Sequence, residues 1–137
     1  MDYPQTIQTA IVEKLAPLVS QGVSVAGVAD RSDPAARHTK RLMVAYVGSD
    51  YSPPKQGMGP LVQSRKLRFE LALQLQNQRT FEAAYPTLGE ISNLLGGFRP
   101  VPGLLARLYL TSEEIAEVRE QVQTWVIGLA IDIPHKS

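Results

Sequence analysis

One segment of the chain alternates apolar and polar residues more regularly than any other. From Leu67 to Leu75 every second residue is apolar, and the residues between them are polar, charged or alanine. Side chains of a β-strand point alternately to its two faces, so this pattern predicts a strand with one buried and one wet face. Clean alternation over this length is typical of an antiparallel sheet. The fold must therefore accommodate a long strand that is buried on one side only.

Four further strands are predicted from other patterns. Residues 23–28 are β-branched and alternate, and residues 42–47 are apolar on both sides, which is typical of a strand buried on both faces. Alternation also predicts strands at 104–110 and 121–133, and Pro134 is expected to end the last of them.

Two main helices are predicted. Apolar residues recur at helical spacing from Ile7 to Leu18, although Pro17 should kink this helix or end it near Leu15. A second apolar stripe runs from Leu88 to Leu95, where Thr87 and Glu90 form a capping-box pattern. An alternative start at Thr80 remains open, and Gly96 and Gly97 are expected to end this helix in either case.

A short third helix is expected after residue 111. Ser112 would be its N-cap, and the glutamates that follow would form a solvated face rather than a cation site. Together these elements predict one α+β domain over residues 1–137, with a mainly antiparallel sheet and the two main helices packed on one of its faces.

The longest irregular stretch is predicted over residues 48–63. It holds three glycines and three prolines. A loop of this length is uncommon in a compact domain unless it has a function or is disordered. We therefore treat it as a candidate contact segment.

Residue types that carry most enzyme chemistry are scarce. The chain has no cysteine, which excludes disulfides, thiolate metal sites and cysteine nucleophiles. Neither of its two histidines, His38 and His135, has an acid or a nucleophile at a useful spacing. No glycine-rich phosphate loop and no His-Glu-x-x-His motif occurs. We expect no enzymatic activity, no catalytic residue, no metal site and no cofactor.

Charge is segregated along the chain although its net value is only +1. Residues 31–79 hold nine basic and three acidic residues, whereas the segments on both sides of them are net acidic. Folding could mix these segments, or a basic surface of one copy could meet an acidic surface of the next. The sequence leaves both interpretations open.

Two classes of partner are disfavoured. The near-neutral charge argues against a nucleic-acid binder, and Phe69 is expected on the opposite face from Arg68, whereas single-strand binding usually combines aromatic and basic side chains. No apolar run approaches the roughly 18 residues of a membrane helix, and the first residues lack a signal-peptide pattern. We expect a soluble protein that is cytoplasmic where it is made and has no membrane partner.

The order of these elements resembles a known family. The stretches that carry the resemblance are the opening helix, Val44 to Gly48 with the proline-rich segment after it, the strand from Arg68 to Gln76, the helix and turn from Leu88 to Phe98, and the strand from Trp125 to Ile131. This arrangement is similar to the tail terminator proteins of contractile-tailed phages, especially Mu-like phages, and to their counterparts in phage-derived contractile injection systems.

The resemblance implies a structural role. A terminator forms a homohexameric ring that caps the tail tube, ends tube polymerisation and anchors the last sheath ring, without enzymatic activity. The implied partners are further copies of the chain and the tail tube and sheath proteins, first in the cytoplasm during assembly and then in the particle. Another head–tail or neck connector, or a small ligand- or nucleic-acid-binding module, remains an alternative.

No residue of the family is transferred to this chain as a site. From the residues themselves we expect the 48–63 segment to reach a neighbouring subunit or the tube, and the basic residues after it to face acidic groups. The predicted protein-interface residues are Tyr51, Lys55, Met58, Arg65, Lys66 and Arg68.

Overall fold

A computed structural model describes residues 2–27, 40–54, 62–76 and 80–136. Its regular elements are α1 (Tyr3–Lys14), a 3-10 helix (Ala16–Gln21), β1 (Val23–Gly27), β2 (Lys40–Tyr51), β3 (Val62–Gln76), a second 3-10 helix (Phe81–Ala84), α2 (Tyr85–Leu95), β4 (Tyr109–Arg119) and β5 (Val122–Lys136). These elements confirm the predicted α+β class.

The described strands form one five-stranded sheet in the order β1-β2-β3-β5-β4. Only β1 and β2 are parallel, and the other three neighbouring pairs are antiparallel. β3 therefore lies at the centre, and β4 lies at an edge beside β5.

The core lies between the helices and one face of the sheet. Leu71 of β3 is fully buried, and it lies in register with Val44 on one side and Ile127 on the other. The helices cover this row with apolar side chains that include Ile7, Ile11, Leu88 and Ile91. The one-sided burial predicted from Leu67 to Leu75 is confirmed, since those five apolar residues are at most 1% exposed.

The ends of the helices follow local chemistry. The side chain of Asp2 accepts a hydrogen bond from the Gln5 backbone N–H at 3.1 Å and so caps α1. α1 ends at Lys14 with Leu15 as its C-cap, which confirms the stop predicted from Pro17. The capping box predicted at Thr87 is wrong, because the chain enters α2 directly from the 3-10 helix and Thr87 is the buried third residue of α2.

β4 corrects two predictions. Residues 104–108 form no strand, and the helix expected at Ser112 is a strand that runs from Tyr109 to Arg119. Pairing with β5 supplies the backbone hydrogen bonds along this stretch and overrides the local helix signal. Two register shifts interrupt the pairing, and the β4–β5 turn places Glu120 and Gln121 at positive φ.

β2, β3 and β5 are longer than predicted. β2 continues to Tyr51 and β3 begins at Val62, so both ends of the loop predicted over 48–63 are strand, while residues 55–61 lie outside the described part of the chain. β5 continues past Pro134. Pairing between β5 and β4 ends at Ala130 of β5. Beyond that residue, a proline whose nitrogen faces away from β3 removes no hydrogen bond to β4.

β2 is buried on one face only, which corrects the expectation of burial on both. Leu42 and Val44 are fully buried, but Met43 and Ala45 are half-buried and Val47 is 41% exposed. The helices pack on the face that carries Leu42, and no described helix covers the other, which we call the open face.

Candidate protein-interaction site

The sequence pattern did not predict the arrangement of the side chains at the end of the β2–β3 pair. The pairing shifts register between Tyr46 and Gly48, and β2 then continues beside residues 65–68 of β3. Gly48 has a φ of 140°, and a Cβ there would lie 2.9 Å from the Arg68 guanidinium. A side chain at this bulge would therefore be strained and would displace Arg68.

Arg65 is held by three side chains of β2. Its Nε–H donates to Ser49 Oγ at 3.1 Å, and Nη2 lies 3.5 Å from the Tyr46 hydroxyl, which itself is 2.6 Å from Ser49 Oγ. The guanidinium also lies 5.6 Å from the centre of the Tyr51 ring, within the range of a cation–π contact.

Within the described residues, Arg65 forms no ion pair with a carboxylate. Its contacts are to hydroxyl groups and an aromatic ring, which orient the guanidinium without neutralising it. A guanidinium fixed in this way is suited to bind a carboxylate with two parallel hydrogen bonds, because less side-chain entropy is lost on binding.

Lys66 and Arg68 lie on the opposite, open face. Arg68 Nε forms an ion pair with Asp50 Oδ2 at 3.0 Å, and both side chains are largely exposed. Lys66 lies in register between Asp50 of β2 and Asp132 of β5. Arg68 thus has a carboxylate partner and Lys66 has carboxylates in register on both sides, whereas Arg65 is in register with Tyr51 and Ile133.

Asp132 also connects this region to β4. The Tyr109 hydroxyl donates a hydrogen bond to Asp132 Oδ2 at 2.9 Å. Burial raises the pKa of Tyr109, and the hydrogen bond and negative charge of Asp132 raise it further, because each favours the neutral phenol.

Among the described residues no group of three or more His, Asp or Glu side chains is placed to hold a metal ion. His135 contacts the Tyr51 ring edge-on at 5.4 Å between ring centres. No helix in the described ranges is both long and apolar enough to cross a membrane.

Comparison with known proteins identifies a family for this chain. The model of the family described as Gp37 protein matches residues 11–135. The chain belongs to the Gp37 family. No curated protein matches it.

The fold of this Gp37-family chain recurs in a solved structure. A chain from the virion of a native gene transfer agent (GTA) particle has a TM-score of 0.59 to it at 13% sequence identity. The match covers 98% of this chain and 100% of that chain. At this identity the likeness shows a shared fold.

The predicted interface residues of this Gp37-family chain do not form one patch. Tyr51 and Arg65 are in contact on the helix-covered side of the sheet, and Lys66 and Arg68 lie on the open face. Lys55 and Met58 lie outside the described residues.

Tyr46 and Ser49, which position Arg65, were missed. Serine and tyrosine carry no distinctive sequence signal in a strand. The register shift at the bulge brings them together. Its one signal in the sequence is Gly48, the glycine after Val47, which has a positive φ in the structure.

Proposed function

We propose that this chain is a structural protein of a phage-tail or GTA-type particle, and that it forms a homohexameric ring at the end of the tail tube. In this role it ends tube polymerisation and anchors the last sheath ring. Membership of the Gp37 family and the fold shared with a GTA virion chain support the tail-related role. The proposed role requires contact surfaces and no catalysis.

The observation that carries the proposal at the residue level is the uncompensated Arg65. A strand end with a fixed guanidinium, an exposed Tyr51 and no neutralising acid among the described residues is incomplete as a monomer surface. A carboxylate from another subunit or from the tube would complete it. Lys55 and Met58, in the segment that follows β2, are proposed to extend this contact.

Tube length provides the test. Tail tube protein is assembled with the wild-type chain, without it, or with Arg65→Gln, and tube lengths and end structures are measured by electron microscopy. We expect defined, capped tubes with the wild type, and long or uncapped tubes in the other two cases. Arg68→Gln is the matched control, because Asp50 already neutralises Arg68 and its exposed pair contributes little.

Each outcome has a defined meaning. Tubes of unchanged length and end structure in the complete absence of the chain would reject the capping role. Normal capping by Arg65→Gln would leave that role intact and reject Arg65 as a contact. If the ring instead lies in the neck of the particle, away from the tube end, the chain is a connector.

A further inference from the structure

β4 is an unusual strand for a folded domain. None of its eleven residues is buried, and only Ile115 is half-buried. Among the described strands it has one neighbour, β5, so its other edge carries unpaired backbone groups. Natural proteins usually shorten or cover such edges, since an open edge invites pairing with another chain.

Exposed apolar side chains are concentrated beside this edge. The rings of Phe81 and Tyr85 both contact Trp125 edge-on at 6.4 Å, yet they are 49% and 55% exposed. Val118 is 59% exposed, and Leu110 is 40% exposed. A cluster of this kind is typical of a protein interaction site.

Negative charge accompanies these apolar groups. Glu113 lies in register with the buried Ile127, which places it on the same face of the sheet as the aromatic side chains. Within the described residues the one ion pair of this strand is a 3.9 Å contact between Arg119 and Glu117, both exposed. We call Phe81, Tyr85, Leu110, Glu113 and Val118 the β4 surface.

The part of the sheet away from β4, at the end of β2, combines an exposed aromatic group with a positive charge. The paired part of β1 ends at Gly27, opposite Val44, so β2 has no further strand neighbour on that side among the described residues. Tyr51 is 50% exposed there and contacts Arg65, which has no carboxylate partner among the described residues. We call Tyr51 and Arg65 the β2 surface.

We infer that the β4 surface of one copy docks on the β2 surface of the next copy. Apolar groups then meet apolar groups, and the guanidinium of Arg65 receives a carboxylate from β4, with Glu113 as its partner. The two surfaces differ and lie toward opposite edges of the sheet, so the contact is head-to-tail, which forms a ring when the rotation between copies closes. This inference rests on the self-association in the proposed function.

A second copy fits better than other occupants. The three glutamates of β4, against a single arginine, would repel the phosphates of nucleic acid or of an anionic lipid surface. A second copy of the chain offers a positively charged surface with an exposed aromatic residue. Such a partner is present wherever the chain itself is present. No partner outside the chain is needed to complete both surfaces.

Crosslinking tests the pairing directly, because the chain has no cysteine of its own. A variant with Ala116→Cys and Pro53→Cys, two exposed positions close to the two surfaces but outside them, is treated with a short bis-maleimide, in concentrated solution and in assembled particles. We expect a ladder of covalent oligomers that rises by single subunits and ends at the ring size. The matched control replaces the first cysteine by Val19→Cys, which is 57% exposed but lies on the 3-10 helix after α1.

A charge swap tests the specific ion pair. On the crosslinking variant, Arg65→Glu alone and Glu113→Lys alone should each reduce the ladder about tenfold or more, because each places like charges together. Their combination in one chain should restore the ladder. Glu13→Lys, an exposed reversal on α1, should leave it unchanged.

The outcomes separate the two proposals. A ladder equal to that of the Val19 control, or no ladder in solution and in particles that are normally capped, overturns the head-to-tail pairing and leaves the capping role intact. Loss of the ladder by both reversals without rescue in the combination rejects the Arg65–Glu113 pair. A ladder in solution from a chain that never changes tube length supports the pairing and rejects the capping role.

Discussion

β3 and β4 belong to one sheet but have opposite surroundings. Five apolar side chains of β3 are at most 1% exposed, whereas β4 has no buried residue. Burial stabilises a central strand, while a strand that is wet on both faces depends on its pairing with one neighbour. The comparison indicates that the residues that fold this chain are largely separate from those that we propose assemble it.

The largest expected effect on stability is at β3, the buried strand of this comparison. Leu71→Ala removes a fully buried side chain from the centre of the core, and we expect a loss of about 3 kcal/mol in the free energy of unfolding. Val118→Ala on β4 is the control, and it should change stability by less than about 0.5 kcal/mol. Urea denaturation followed by circular dichroism measures both. Equal losses would show that β4 contributes to the core after all.

A smaller loss of stability is expected at a register shift in the pairing of β4 with β5. A Cβ at Gly128 would lie 2.5 Å from Thr111 Oγ1 and 2.6 Å from Ser112 Oγ, at one of the register shifts. Gly128→Ala should therefore cost about 2 kcal/mol and speed amide hydrogen exchange in β4 more than in β3. Adding Thr111→Ala and Ser112→Ala should recover part of the loss. No recovery would mean that the strain lies elsewhere.

Gln123 of β5 tests the contribution of buried hydrogen bonds at the other end of β4. It lies opposite Val118 and is 3% exposed. Its Nε2 donates to the Thr80 carbonyl at 2.9 Å, and its Oε1 accepts from Trp125 Nε1 at 2.8 Å. Gln123→Ala leaves both partners unmatched and should cost about 1–2 kcal/mol in urea denaturation. Gln74→Ala, on the open face of β3, should cost clearly less; an equal cost would indicate that these hydrogen bonds add no stability.

The smallest effect concerns the contact between β4 and Asp132. Asp132→Asn should lower the pKa of Tyr109, although burial, the main cause of its elevation, keeps it above its ordinary value. Difference absorbance titration against a Tyr109→Phe variant measures this change. Unchanged titration would show that Asp132 does not act on Tyr109.

The same group fixes the sign of a pH effect on stability. Folding raises the pKa of Tyr109, so its contribution is fully present below the ordinary value of 10.0 and is lost as pH rises through the folded-state pKa. The wild type should therefore lose stability more steeply in this alkaline range than Asp132→Asn does.

The sequence predicted those parts of the fold that local patterns specify. The alternation from Leu67 to Leu75 and the stop at Pro17 depend on the strand or helix itself, and both were confirmed. β4 was missed because its acidic start after Ser112 resembles a helix N-terminus, and only the position of β5 beside it decides otherwise.

The candidate site could be predicted only in part. Arg65, Lys66 and Arg68 were identified from their charge, but the alternation of β3 extends back to Val62 and places Arg65 on the face opposite the other two. Which of the three lacks a carboxylate depends on Asp50 and Asp132, which are brought to β3 by pairing of distant strands. The aromatic side of β4 depends likewise on the contact of Phe81 and Tyr85 with Trp125 across 40 or more residues.

Trp125 gives this arrangement a practical consequence. It is the only tryptophan in the chain, and it lies half-buried beneath Phe81 and Tyr85 at the edge where we propose a neighbour docks. Its emission therefore comes from one known place, and it senses the water around that place. The unlabelled wild-type protein thus contains an optical probe whose spectrum should shift to shorter wavelength when the edge is covered and return when subunits separate.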